Sequence, residues 1–196
     1  MQLSKKAQEL EQRFKAHFKD KDNYIPAIHN GFQFPKTPVI TNQNMTEIEL
    51  YQWGLIPHWA KDESIQKFTL NARLETLHEK PSFKHITNQR CVIISDAFFE
   101  WQWLDPKGKK KQKYKLSLPQ NELFCLAGLY SLWQDPILQE QRKTYTILTT
   151  SANLLMSEIH NSKQRMPIVL TEQAELQWLK TGKLELLNDH LYQLYL

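Results

Sequence analysis

The 196-residue chain is poor in cysteine and glycine, with two of the first and five of the second. Two thiols, Cys91 and Cys125, make no disulfide framework, and no Cys-x-x-Cys pair offers a structural zinc site. Each sits in an apolar run, so a reducing cytoplasm is the expected setting. Scarce glycine, with only nine prolines, excludes a linker-dominated or low-complexity protein. No apolar run reaches the ~20 residues that span a bilayer. The charged stretch that follows Met1-Gln2-Leu3-Ser4 leaves no signal-peptide core, so no membrane partner is expected. The histidines show no ligand spacing among themselves or with Cys91, which argues against a metal, and no cofactor is expected.

Aromatic residues are plentiful: 11% of the chain, with six Trp, in a total of 41% apolar residues. That is enough to bury one core, and a single domain over residues 1–196 is expected. Ser4 reads as the N-cap of a helix over about residues 4–20, with Ala7, Leu10, Phe14 and Phe18 on one face. A loop with Pro26, Gly31, Pro35 and Pro38 follows. Residues 47–53 and 91–95 read as strands. Residues 97–103 and 113–118 read as a hairpin turned by Pro106-Lys107-Gly108. Further strands are predicted at 122–130, 143–149 and 167–170, with a short helix started by Asn153 and another capped by Thr171 and closed by Gly182. Residues 184–196 are expected to pack on the core. This gives an α+β fold: a curved mixed or antiparallel sheet, or an open β-barrel, flanked by short helices.

The net charge is only +4, but its distribution is uneven. Lys107, Lys109, Lys110, Lys111, Lys113 and Lys115 crowd the hairpin turn, as a nucleic-acid footprint or as the solvated tip of an edge. If residues 71–75 are extended, Asn71, Arg73 and Glu75 share one face, able to orient a nucleophile and hold a phosphate, or to serve as a plain polar edge. Glu100 lies in Phe98-Phe99-Glu100-Trp101-Gln102-Trp103. Aromatic neighbours there would desolvate its carboxyl and raise its pKa, unless the residue is solvated or paired with a lysine. His160 is predicted at a helix C-terminus, placed to move protons near neutral pH or simply to cap the helix.

Several segments, in order, resemble the SRAP family of abasic-site-processing proteins over about residues 45–180. They are Trp53-Gly54-Leu55-Ile56-Pro57-His58-Trp59, Asn71-Ala72-Arg73-Leu74-Glu75-Thr76, Phe99-Glu100-Trp101, Ala127-Gly128-Leu129-Tyr130, Thr149-Thr150-Ser151-Ala152-Asn153, Ile159-His160 and Arg165-Met166-Pro167-Ile168-Val169-Leu170. The resemblance implies a monomeric cytoplasmic DNA-damage protein, nucleoid-associated when bound to lesions. Its partner would be single-stranded DNA containing abasic sites. Its chemistry would be a thiazolidine crosslink made by the amine and thiol of an N-terminal cysteine, with peptidase- or lyase-like activity besides. Carried over, Asn71 positions the terminus, Glu100 moves protons and His160 helps open the sugar. Arg73, Trp59, Trp53, Arg165, Lys109, Lys110 and Lys111 are then the expected DNA contacts. Position 2 is Gln here, where the family has cysteine. A start shortened by a few residues is expected, because Asn71, Glu100 and His160 are retained; a silenced DNA-binding module is the alternative, and a plain peptidase a third. A further C-terminal segment is expected too.

Overall fold

The computed structural model describes residues 1–184 and the backbone of 193–195. Its elements run β1 (Gln2–Leu3), α1 (Ala7–Phe14), β2 (His17–Phe18), β3 (Ala27–Ile28), β4 (Lys36–Thr41), β5 (Glu47–Trp53) and β6 (Asn71–Arg73). Then come β7 (Arg90–Ser95), β8 (Phe98–Trp103), β9 (Lys111–Ser117), β10 (Phe124–Gln134), β11 (Gln141–Ser151) and α2 (Leu154–Ile159). The last are β12 (Arg165–Pro167), β13 (Val169–Leu170), α3 (Glu172–Thr181) and β14 (Gln193–Tyr195).

Strands β5, β4, β7, β10 and β11 pair antiparallel in that order. A short parallel contact, Thr144 opposite Gln52 and Tyr145 opposite Trp53, joins β11 back to β5. The expected curved mixed sheet therefore curls into a five-stranded, barrel-like ring. Both faces of β7 are buried, which is why it reads as one continuous apolar run. Val92, Ile94, Cys125 and Ala127 pack with Leu10 of α1 and with Ala174 and Trp178 of α3. Cys91, Ile93, Leu126, Tyr145 and Ile147 pack on the other face. Gly128 belongs to the tightest part of it: a Cβ there would collide with Ile93 Cδ1 and stand 2.6 Å from the Thr146 carbonyl oxygen.

The first helix is shorter than its apolar spacing predicts. Ser4 is no cap; its N–H and hydroxyl both donate to Asp96, at 2.6 and 2.5 Å. The helix starts after Lys6, whose N–H donates to Glu9, and stops at Lys15 in the left-handed region. Phe18 then enters the core from β2. The proline-marked loop hides a central strand, β4. Pro38 is tolerated because the ladder to β7 begins one residue later, at Val39. The predicted 167–170 strand is two pieces: Ile168 donates to Leu148 of β11 and accepts from Ala127 of β10, switching partners. Asn153 and Thr171 cap α2 and α3 as predicted, accepting from Met156 and Ala174. Most of the segment 184–196 lies outside the described residues; Leu184 packs on the α1–α3 side.

Candidate active site

A three-stranded sheet, ordered β14-β9-β8, stands beside the ring, and β8 is its edge. Side chains alternate along β8. Phe98, Glu100 and Gln102 lie opposite Leu116, Tyr114 and Gln112 of β9. Phe99, Trp101 and Trp103 lie opposite Lys115, Lys113 and Lys111. The first face meets α2: Tyr114 Oη donates to Gln102, whose amide donates to the Glu158 carbonyl at 3.0 Å. The edge is closed by one side chain. Asn161 accepts from the Trp103 N–H at 3.0 Å and donates to the Trp103 carbonyl at 2.9 Å, standing in for a neighbouring strand.

This docking brings two predicted residues together. His160, which ends α2, has Nδ1 3.8 Å from Glu100 Oε2, an ion-pair distance rather than a hydrogen bond. The same Nδ1 lies 2.8 Å from the Arg165 carbonyl oxygen. A carbonyl only accepts, so Nδ1 carries a proton, and Nε2 is the nitrogen free to take one. Burial raises the Glu100 carboxyl above the ordinary carboxylate range; His160 and the terminal amine oppose that rise.

The third member is the Met1 α-amine. Its side chain is buried among Phe98, Ile159, Met166 and Leu70. The amine donates to the His29 carbonyl at 3.2 Å, and the His29 N–H donates back to the Met1 carbonyl at 2.8 Å. Burial lowers the amine to about 6, with Glu100 pulling it up and Lys113 pushing it down. A mostly neutral amine at pH 7 thus shares a partly desolvated cleft with a carboxyl held above its usual range and an imidazole.

Asn71 and Arg73 are exposed on β6, which runs parallel to β11 with Arg73 opposite Thr149. Their shared face extends only that far, because residues 74–76 turn into a 3-10 helix. Glu75 takes another role. The Arg165 guanidinium forks onto it, Nη1 to Oε1 at 3.0 Å and Nη2 to Oε2 at 2.8 Å, and also donates to the Thr149 carbonyl. That hydrogen bonding holds Glu75 at about 2. Arg165, expected to touch DNA, is therefore neutralised within the protein, whereas Arg73 has no ion pair among the described residues. Trp53 is also displaced from its expected role: it is buried, stacks parallel to Tyr145 and donates to the Leu70 carbonyl at 2.9 Å. Its ring offers no face to a base. Trp59 is about half exposed, with its indole toward the Pro81 carbonyl.

Lys109, Lys110 and Lys111 are exposed at the hairpin turn. Asp105 fixes that turn by accepting from Lys107 and Lys110, and Gly108 takes φ 62° against the Trp103 ring. Cys91 and Cys125 are fully buried, and burial pushes both thiols up. Among the described residues no helix is long and apolar enough to cross a membrane. No group of three or more His, Cys, Asp or Glu side chains is placed to hold a metal ion among them. Sequence reasoning missed Asn161 and His29: the first is one amide in a polar loop, and the second acts through its backbone.

The sequence profile of a family described as SOS response associated peptidase (SRAP) matches residues 1–194. The chain belongs to the SRAP family. Among its SRAP relatives, a Bacillus subtilis protein named abasic site processing protein YoqW is 45% identical over 170 residues, 81% of this chain and 71% of that one. Another from Bacillus subtilis, abasic site processing protein YobE, is 40% identical over 185 residues, 89% of this chain and 80% of the relative. A crystal structure of a protein from Bacteroides thetaiotaomicron superposes with a TM-score of 0.84 at 34% identity, covering 94% of this chain and 82% of that one. The expected family and its SRAP-like fold are borne out.

Proposed function

We propose that this protein processes abasic sites in single-stranded DNA, using the cleft of Glu100, His160 and the chain's terminal amine. The observation that carries this is the pairing of Glu100 with His160, whose Oε2 and Nδ1 stand 3.8 Å apart in a largely buried cleft; the Met1 amine, which burial lowers to about 6, interacts electrostatically with that carboxyl. A ring-opened abasic residue presents an aldehyde. A neutral amine attacks its carbon, and the carbonyl oxygen takes up a proton to give a carbinolamine. Glu100, whose pKa burial raises, gives a proton to the departing hydroxyl; water leaves, the nitrogen loses its last proton and an imine remains. His160 Nε2 is suited to take the hydroxyl proton of the closed sugar as the ring oxygen gains one, which opens the aldehyde. Arg73 holds a backbone phosphate and Asn71 orients the terminus. Trp59 and the turn lysines Lys109, Lys110 and Lys111 guide the strand. The names of the Bacillus relatives support this reading, as does the protein's membership of the family. The protein acts as a cytoplasmic monomer that reaches the nucleoid through its DNA.

A stable thiazolidine needs a thiol on the residue that bears the amine. Position 2 is Gln, and the two cysteines are buried in strands. The 196-residue chain is therefore expected to give an imine that borohydride traps on an abasic oligonucleotide, but no heat-stable band without reductant. A version given the family's Met-Cys start in register should give the heat-stable band. Efficient reductant-free crosslinking by the unmodified chain, or no trapping at all, would refute the assignment of the nucleophile. The second reading, a binding module without a nucleophile, is favoured by Gln2 alone, and the trapping experiment separates the two.

A further inference from the structure

We propose that Asp96, at the corner between β7 and β8, is the positioning residue for the terminal amine: it clamps Ser4, fixes β1 against the corner and so sets where the amine stands relative to Glu100. This rests on the reading above. The strand that carries the amine has little support of its own. β1 pairs with β3 over two residues only, Gln2 with Ile28 and Leu3 with Ala27, in a separate two-stranded sheet. A ladder that short does not hold itself together in water, and β3 is a poor anchor, with Ile28 64% exposed. The corner holds β1 instead. The Gln2 N–H donates to the Ala97 carbonyl at 2.7 Å, and the Gln2 carbonyl accepts from the Asp96 N–H at 3.0 Å. The Ser95 hydroxyl donates to that same carbonyl at 2.8 Å. Asp96 Oδ2 then accepts both the N–H and the hydroxyl of Ser4, at 2.6 and 2.5 Å.

Asp96 is an expensive way to turn a corner. It is fully buried, its Oδ1 has no hydrogen-bond partner, and among the described residues it forms no ion pair. Burying a carboxyl so incompletely satisfied opposes folding. What the carboxyl holds in return is the segment that ends in the amine. The same corner runs straight into β8, where Glu100 stands three residues beyond Ala97. Amine and carboxyl are thus tied to one piece of chain, and the Ser4 clamp sets the register between them. A slip of β1 by one residue would carry the amine about 3.3 Å along the strand, more than the length of a hydrogen bond. Alignment with Glu100 would be lost.

Competitive acylation with acetic anhydride, read by mass spectrometry of the N-terminal peptide, titrates the Met1 amine without DNA. The parent should titrate at about 6. Asp96→Ala should let β1 fray into water and move the titration up toward the ordinary ~8. Asp96→Asn keeps an acceptor oxygen for Ser4 and should stay near the parent. Ser4→Ala, which removes only the hydroxyl, should give a smaller upward shift and serves if Asp96→Ala does not fold. The groups that act on the amine, Glu100, Lys113 and His29, stay in place in every variant. Leu179→Ala in α3 lowers stability away from β1 and should leave the titration unmoved. In borohydride trapping at pH 7, Asp96→Ala should be slower by about 9-fold or more, as the neutral fraction falls from roughly nine-tenths to one-tenth, with much of the loss recovered at pH 9. An unmoved titration in folded Asp96→Ala, or in Ser4→Ala where the first does not fold, overturns the positioning role. So does an equal shift in Leu179→Ala, or a parent that already titrates near ~8. Trapping separates the two readings. If the parent traps abasic DNA while the titration goes against the clamp, only the positioning role fails; if the titration moves as expected while the parent traps nothing, the failure lies with the proposed function.

Discussion

Replacing Glu100 with Gln separates proton transfer from amine ionisation in the cleft. With the Met1 amine at about 6, roughly nine in ten molecules carry the neutral nucleophile at pH 7, against about one in ten for an ordinary terminal amine near ~8. The charge of Glu100 raises that amine, so Glu100→Gln lowers it further. The neutral fraction at pH 7 then rises only from about nine-tenths toward one, which changes a rate by little more than a tenth. What remains is loss of the acid, expected to slow imine formation by about 10²-fold or more. The assay is a single-turnover time course with an abasic oligonucleotide and borohydride trapping, repeated from pH 5 to pH 9. The variant should be slow everywhere, and its acidic limb, set by the amine, should move to lower pH. A parental rate at pH 7 would show that the carboxyl is structural. An acidic limb that moves upward would show that the amine does not feel Glu100.

Asn161→Ala removes both hydrogen bonds to the Trp103 backbone, a change of about 1–2 kcal/mol at a partly solvated edge. With the α2 turn loosened, His160 should lower Glu100 less, so the basic limb of the trapping profile should move up in pH; an unmoved profile refutes a positioning role. Glu175, packed behind the sheet, is raised by burial to about 7, although Arg13 sits 2.9 Å away and opposes the rise. Its folded pKa exceeds the usual 4.5, so the folded state binds the extra proton. Stability should therefore fall as pH rises between about 4.5 and 7, by roughly 3 kcal/mol at most. Glu175→Gln should flatten that part of the melting-temperature profile, and a profile with the same fall would show another group to be responsible.

Much of the fold was legible wherever a local signal decides the structure. Asn153 and Thr171 cap their helices because a side-chain oxygen two or three residues before an apolar turn has few better uses. Gly108 and Gly182 mark the turn and the helix end through positive φ. Local signals failed where a distant partner overrode them. Ser4 gave up its cap to a buried aspartate of the β7–β8 corner, and Phe18 kept helical spacing while lying on a strand. Strand β4 was hidden because its Pro38, with Pro35 just before it, looks like loop punctuation until the neighbouring ladder is known. In the site, Glu100 was legible from alternation among aromatic residues and His160 from its place at the end of α2. The 3.8 Å between them was not, since it depends on Asn161 binding a strand edge 58 residues away.

Arg73 and Arg165 show the same limit in charge. Both follow short motifs, both flank β11, and sequence offers no reason to rank one above the other as a phosphate contact. The turn at residues 74–76 carries Glu75 off the expected face and onto Arg165, where the paired geometry and the Thr149 carbonyl occupy the guanidinium. Moving that guanidinium to a phosphate would leave Glu75 without the partner that holds it at about 2, and would strip a strand carbonyl of its donor. Arg73 carries no such cost, being exposed and free of any described ion pair. The field offered to DNA at this edge is therefore close to one arginine rather than two. The Glu75–Arg165 pair instead fixes β12, and through the Arg165 carbonyl it sets the tautomer of His160. In the proposed reaction, an arginine that looks like a DNA contact in sequence thus acts from inside the fold, by deciding which imidazole nitrogen is free to accept a proton.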